Sequence, residues 1–193
     1  MYITENIYEF VINIISDASS LGLILSSLLI VVESIIPPLP LGFFVTILFV
    51  NYGPVFGFLI SWFFTIIGCI ISYYLFQNLF KNIVDKYIRK HEKANKVINA
   101  IENISFVNLV LIICIPFTPA FLVNIAAGIS RMSINKFVPA IIIGKITLIL
   151  FWGIVGSNIV ESLINPYKLI IVILLILFTY SLSKVVNKKL KID

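Results

Sequence analysis

The chain has 193 residues, 60% of them apolar and 12% charged, and a mean hydropathy of +1.10. A soluble domain of this length has no use for so much apolar surface, so the composition specifies an integral membrane protein, one membrane domain over residues 1–193. Two cysteines inside apolar runs, one histidine (His91) among charged residues and no Ser/His/Asp or Cys/His set argue against a hydrolytic enzyme, and no metal or other cofactor is expected.

Residues 1–18 place Ile3, Ile7, Phe10, Val11, Ile14 and Ile15 at helical spacing, with Glu5, Glu9, Asn13 and Asp17 between them. This predicts an amphipathic helix lying in the membrane interface. With no basic leader and no small-residue cleavage site, it does not read as a removable signal. Residues 21–50 are apolar enough to span, but Pro37-Pro38-Leu39-Pro40 divides them near the middle. Proline has no N–H and pushes the preceding residue out of the α region, so a helix stops there. Each arm is shorter than the roughly 20 residues of a full crossing, which predicts a re-entrant hairpin. A turn at 51–54 leads to a span at 55–76, along which Gly57, Ser61, Thr65, Gly68 and Ser72 recur every three or four residues. Such a face lets another backbone approach closely.

Residues 78–103 form the only long charged stretch and predict an amphipathic cytoplasmic helix or helix pair. Residues 105–130 are a second interrupted segment, broken by Pro116-Phe117-Thr118-Pro119. Two further spans, at 134–157 and 166–186, precede a basic cytoplasmic tail at 187–193. Backbone left unpaired at membrane depth survives only when buried in protein or lining a wet cavity, and paired broken segments in two halves of a chain point to a transport site.

Charge sets the expected orientation. No Lys or Arg precedes Lys81; basic residues then cluster at Lys81, Lys86, Arg89, Lys90, Lys93 and Lys96, at Arg131 and Lys136, and from Lys184 onward. That is a positive-inside pattern rather than a nucleic-acid footprint. The second interrupted segment then enters from the cytoplasm and the first from the opposite side. The expected fold is an all-α polytopic membrane protein: an inverted repeat of two opposed re-entrant helical hairpins, about three full transmembrane helices and interfacial amphipathic helices. The repeat aligns the two proline pairs, Gly53 with Gly128, and Gly68 with Gly144.

Glu33 is the one acid within the apolar part of the chain, just before the first break. An ionised carboxylate in hydrocarbon costs several kcal/mol, so Glu33 must face a cavity, pair with a cation or take up a proton. Lys145 lies midway along a span, too deep to snorkel, and calls for Glu33, a lipid phosphate or helix-end carbonyls. Structural ion pairing between the two is the competing role. Thr118, Asn124, Ser34 and Thr147 can donate hydrogen bonds at the breaks, or simply pack there. Pro37, Pro38, Pro40, Pro116 and Pro119 frame the expected pathway.

These residues carry a resemblance. Glu33-x-x-x-Pro37-Pro38-x-Pro40 is similar to the acid–proline motif of the DedA superfamily, also called the VTT-domain or SNARE-associated Golgi protein family. Ile115-Pro116-Phe117-Thr118-Pro119, followed by Asn124 and Ala127-Gly128, with Phe137 and Gly144 downstream, resembles its second motif. The match looks nearest to bacterial members of the Golgi-type branch and organises most of residues 21–157. The resemblance implies two opposed re-entrant hairpins in a bundle in the cell membrane, and the charge pattern gives it a cytoplasmic C-terminus. The resemblance also implies movement of phospholipid or a polyprenyl-phosphate carrier between leaflets, linked in bacteria to the proton gradient, with Glu33 as the membrane-embedded acid. Two departures stand out: the family's Arg three residues before the second hairpin's first proline is here Ile113, and no acid follows Gly68. Lys145 is the candidate replacement for that missing charge. A proton-coupled carrier of a small solute or ion and a non-transporting membrane assembly factor are the alternatives. Membrane lipids are the expected partner, and homo-oligomerisation stays open.

Overall fold

The computed structural model describes residues 19–36, 40–86, 92–116, 120–130 and 132–190. The expected interfacial helix at 1–18, the residues Pro37, Pro38, Thr118, Pro119 and Arg131, and the end of the tail lie outside the described residues. The described residues form seven helices and no strand: α1 (Ser19–Glu33), α2 (Leu41–Lys86), α3 (Glu92–Glu102), α4 (Phe106–Cys114), α5 (Ala120–Ser130), α6 (Ile134–Ser162) and α7 (Lys168–Leu190). Leu41–Phe80 and Ile134–Ser162 are long and apolar enough to cross a membrane.

The surface is inverted relative to a water-soluble protein. Val55 and Phe56 are each 66% exposed, and Ile24, Leu28, Phe63, Ile143, Ile154 and most large side chains of α7 also face outward. Glu33, Lys145, Asn124 and seven serines are buried instead. An apolar exterior this extensive is stable only against acyl chains.

Helix α2 is not one rod. Gly53 has φ 78° and ψ 168°, a backbone shape that side chains with a Cβ rarely adopt, and Pro54 restarts the helix with its ring in the first turn, where no amide hydrogen is needed. The arms 41–52 and 54–86 fold onto one another. A Cβ on Gly57 would lie 2.7 Å from both the Leu48 carbonyl oxygen and the Phe49 Cα, so only glycine permits this approach. The second arm continues past Phe76, where the sequence reading ends the span, to Lys86, because no glycine or proline interrupts 77–86. Likewise α6 passes 157 and ends at Ser162, with Asn158 Nδ2 donating to the Ile154 carbonyl at 2.7 Å.

Local chemistry fixes the other ends. Ser105 caps α4 by accepting from the Asn108 amide at 3.2 Å. Lys136 Nζ donates to the Glu102 carbonyl at 3.2 Å, placing a cation at the negative end of α3. Beyond α6 the chain turns over residues 163–167, with Lys168 paired to Glu161 at 3.1 Å.

Two apolar clusters pack the helices around the breaks, and a third, of Phe151, Val155 and Val172, joins α6 to α7. One joins Ile30 of α1, Leu41, Phe44, Val45, Leu48 and Phe49 of the first arm of α2, and Leu148 and Ile149 of α6. The other joins Cys69 and Tyr73 of the second arm, Leu109 and Ile113 of α4, Ala127 of α5, and Phe137, Ala140 and Ile141 of α6. Each interrupted segment therefore belongs to its own cluster, and α2 and α6 run through both. On α6 the residues between the clusters include Gly144 and Lys145.

Candidate functional site: a polar seam between two apolar clusters

Helix α1 ends because of the two prolines just beyond it. The carbonyls of Glu33 and Ser34 would bond to the amides of residues 37 and 38, and both are prolines without an N–H. The last turn closes instead with the Ile35 and Ile36 amides both donating to the Val32 carbonyl, at 3.0 and 2.8 Å. The orphaned Ser34 carbonyl is satisfied from the other interrupted segment: Asn124 Nδ2 of α5 donates to it at 3.2 Å, and both residues are buried. A hydrogen bond between residues 90 positions apart thus ties the first break to the arm beyond the second.

Glu33 is 6% exposed and Lys145 2% exposed. The Lys145 charge acts on Glu33 electrostatically, yet neither Glu33 Oε2 nor Lys145 Nζ has a hydrogen-bond partner among the described residues, and no ion pair joins them. The two opposite charges are buried in one region and held apart. In a protein interior this is an expensive arrangement unless something polar stands between them.

Close packing on glycine positions both charges. A Cβ on Gly68 of α2 would lie 2.6 Å from Ser34 Oγ and 2.9 Å from the Val31 Cα, so the last turn of α1 sits directly on the second arm of α2. A Cβ on Gly144 of α6 would lie 2.6 Å from Ile113 Cγ2 and 3.3 Å from the Val110 carbonyl, so the last turn of α4 sits on α6 beside Lys145. Val31 and Ser34 precede Pro37 by the same intervals at which Val110 and Ile113 precede Pro116. The two halves use one packing register.

Other candidates from the sequence are more scattered. Pro40 is exposed immediately before α2, and Pro116 is half-buried after α4. Thr147 lies on the exposed side of α6, near the half-buried Cys114 at the end of α4. Trp62 Nε1 donates to the Ile142 carbonyl at 3.0 Å, and the Tyr73 and Phe137 rings stack with centroids 5.2 Å apart. These contacts set α6 antiparallel to the second arm of α2. Tyr73 also donates its hydroxyl to the Met132 carbonyl at 2.5 Å.

A set of hydroxyls at this seam escapes sequence reasoning. Ser27 of α1 and Ser61, Thr65 and Ser72 of α2 are buried, and their oxygens have no hydrogen-bond partner among the described residues. The spacing of Ser61, Thr65 and Ser72 is visible in the sequence, but it reads there as a small-residue packing face; Ser27 carries no such signal. Only their unsatisfied state distinguishes them.

The chain matches the VTT domain over residues 36–158. It is 27% identical over 191 residues to a protein of Bacillus subtilis (strain 168) named Uncharacterized membrane protein YhjE, covering 99% of this chain and 91% of that one. No solved structure matches it.

Proposed function

Because the chain belongs to the VTT-domain (DedA) family of membrane proteins, we propose that it moves lipid between the two leaflets of the cell membrane, without chemistry on the lipid, through the polar seam at Glu33 and Lys145. In this reading the two interrupted segments are re-entrant hairpins entering from opposite faces, related as an inverted repeat. The common register of Gly68 with Val31 and Ser34, and of Gly144 with Ile113 and Val110, supports that relation. The basic residues from Lys81 to Lys96 and from Lys184 onward support a cytoplasmic C-terminus in this reading.

The observation that carries the proposal is the pair of separated buried charges, lodged where the two breaks are tied together by Asn124 and bounded by apolar clusters on either side. Intramembrane ionisable residues mark substrate or proton paths. A lipid phosphate is the anion that suits Lys145, which stands where α6 meets Ile113, the position at which the resemblance leads one to expect an arginine. Glu33 competes with that phosphate for Lys145 and couples its passage to protons. Substrates that fit are phospholipids and polyprenyl phosphates, whose tails stay in the bilayer while the headgroup crosses the seam.

The test is leaflet exchange of labelled phospholipid and of polyprenyl phosphate by the purified protein in liposomes, with and without a pH gradient. Wild type is expected to exchange at least one of them. Glu33→Gln is expected to slow exchange at least about tenfold, which corresponds to roughly 1.4 kcal/mol of barrier. Wild-type protein that exchanges neither lipid overturns the reading.

A further inference from the structure

The stretch of α2 from Gly68 to Gln77 receives two other helices. The last turn of α1 sits on Gly68, through Val31 and Ser34. The end of α5 sits further along: a Cβ on Gly128 would lie 2.6 Å from the Tyr73 carbonyl oxygen and 3.1 Å from both the Gln77 amide nitrogen and the Phe76 Cβ. At a rise of about 1.5 Å per residue, the two docking points stand roughly 10 Å apart along α2. Asn124 lies one turn before Gly128 on α5, and its side chain spans what remains of that distance to reach the Ser34 carbonyl, 3.2 Å from Nδ2. Helix α5 therefore runs alongside α2 in the same direction. A slide of about 1 Å along α2 takes Asn124 out of hydrogen-bonding range.

The joint between α5 and α6 resists that slide. The Met132 amide and Ser130 Oγ both donate to the Ala127 carbonyl, each at 3.2 Å, so α5 closes on Ala127. On the other side of the joint, the Ser133 carbonyl accepts from the Lys136 and Phe137 amides and opens α6. The Met132 carbonyl lies between the two helices and belongs to neither. Met132 is 1% exposed, and a buried carbonyl at a joint needs a donor from elsewhere.

Tyr73 supplies it. Its hydroxyl donates to the Met132 carbonyl at 2.5 Å, while Gln77 Nε2, one turn further along α2, donates to the same hydroxyl oxygen at 3.1 Å. With Gln77 occupying a lone pair, the phenolic hydrogen is turned to Met132. The ring is buried and stacks on Phe137 in the first turn of α6. One side chain thus holds α2, the end of α5 and the start of α6 together. Phenylalanine would fill the same volume and keep the stack; only the register of the joint needs the oxygen.

We infer that Tyr73 is a positioning residue for the seam: by pinning the α5–α6 joint to α2, its hydroxyl sets the register at which Asn124 meets the Ser34 carbonyl, and with it the backbone that presents Glu33. What Glu33 does there rests on the proposed transport reading; how it is held rests on these contacts alone.

Tyr73→Phe tests this in detergent, with asparagine alone isotope-labelled for NMR. The Asn124 side-chain amide signal is identified by its loss in Asn124→Leu. Its protons are expected to exchange slowly with solvent in wild type and at least about tenfold faster in Tyr73→Phe. Leu48→Ala, a cavity in the other apolar cluster, controls for lost stability: it lowers the unfolding midpoint but leaves the Asn124 rate as in wild type. The inference fails if Tyr73→Phe keeps the wild-type rate, or if Leu48→Ala speeds exchange as much. Should Tyr73→Phe not fold, Gln77→Leu, which frees the hydroxyl to turn from Met132, is read against the same two outcomes. In liposomes, Tyr73→Phe is expected to slow lipid exchange about fivefold and to add nothing in an Asn124→Leu background, because both act through one hydrogen bond. Losses that multiply instead overturn the assignment. A wild type that moves no lipid defeats the transport reading and leaves the amide measurement to decide this one.

Discussion

Asn124 shows how much one side chain can hold at a helix break. Its amide donates to the Ser34 carbonyl of the first break from across the bundle, and both partners are buried. Asn124→Leu leaves the Ser34 carbonyl without that donor and is expected to destabilise the protein by about 1–3 kcal/mol, measured by thermal or denaturant unfolding in detergent. Lys145 is a second case. Lys145→Gln is expected to slow lipid exchange about tenfold, while Lys145→Arg retains most of it, since an anion site needs the positive charge. If exchange by Lys145→Gln equals wild type, Lys145 carries no phosphate. A double-mutant cycle with Glu33→Gln is expected to show coupling of about 1 kcal/mol in stability, because removing either charge alone leaves the other buried without a counter-charge. Glu33, Lys145 and Asn124 were all legible as candidates, being polar residues in apolar surroundings. That Asn124 would reach the opposite break was not, because nothing local encodes a contact between residues so far apart in the chain.

At the level of helices, the proline pairs and Gly53 announce themselves in sequence because their effect is local: a missing amide hydrogen or a positive φ acts within one turn. Interhelical glycines are different. They look alike in sequence, but their neighbours decide what a substitution costs. Gly57 faces the backbone of Leu48 and Phe49, which cannot yield, whereas Gly153 faces the Phe49 ring, whose carbons an added Cβ would overlap. Gly57→Ala is therefore expected to destabilise by about 1–3 kcal/mol with no single rescuing partner, and Gly153→Ala to be partly rescued by Phe49→Leu. Unfolding midpoints of the two single variants and the double variant check this ordering. Helix α2 runs on to Lys86 and α6 to Ser162, beyond the apolar spans read at 55–76 and 134–157. A helix with no breaker simply continues into the polar region.

Among the described residues many large apolar side chains face outward while Glu33, Lys145 and Asn124 are buried, an arrangement that requires lipid around it. Charge then predicts which way it stands. In cells, Ala100→Cys on α3 is expected to be shielded from an impermeant maleimide added outside, and Tyr167→Cys, in the exposed turn before α7, to be labelled; the reverse pattern would invert the orientation. The membrane class, the helical content, the two breaks and the family follow from hydropathy, proline chemistry and motif spacing, all of which a linear chain displays.

Sequence alone determined that helices must stop at Pro37 and Pro116 and that an acid and a lysine lie too deep to be solvated by bulk water. Tertiary structure decided that these charges occupy one seam without touching, that Asn124 bridges the breaks, and that four hydroxyls stand unbonded beside them. The division has a physical cause. Steric and hydrogen-bonding limits of the backbone act over a turn, whereas satisfaction of a buried polar atom depends on which distant helix happens to face it.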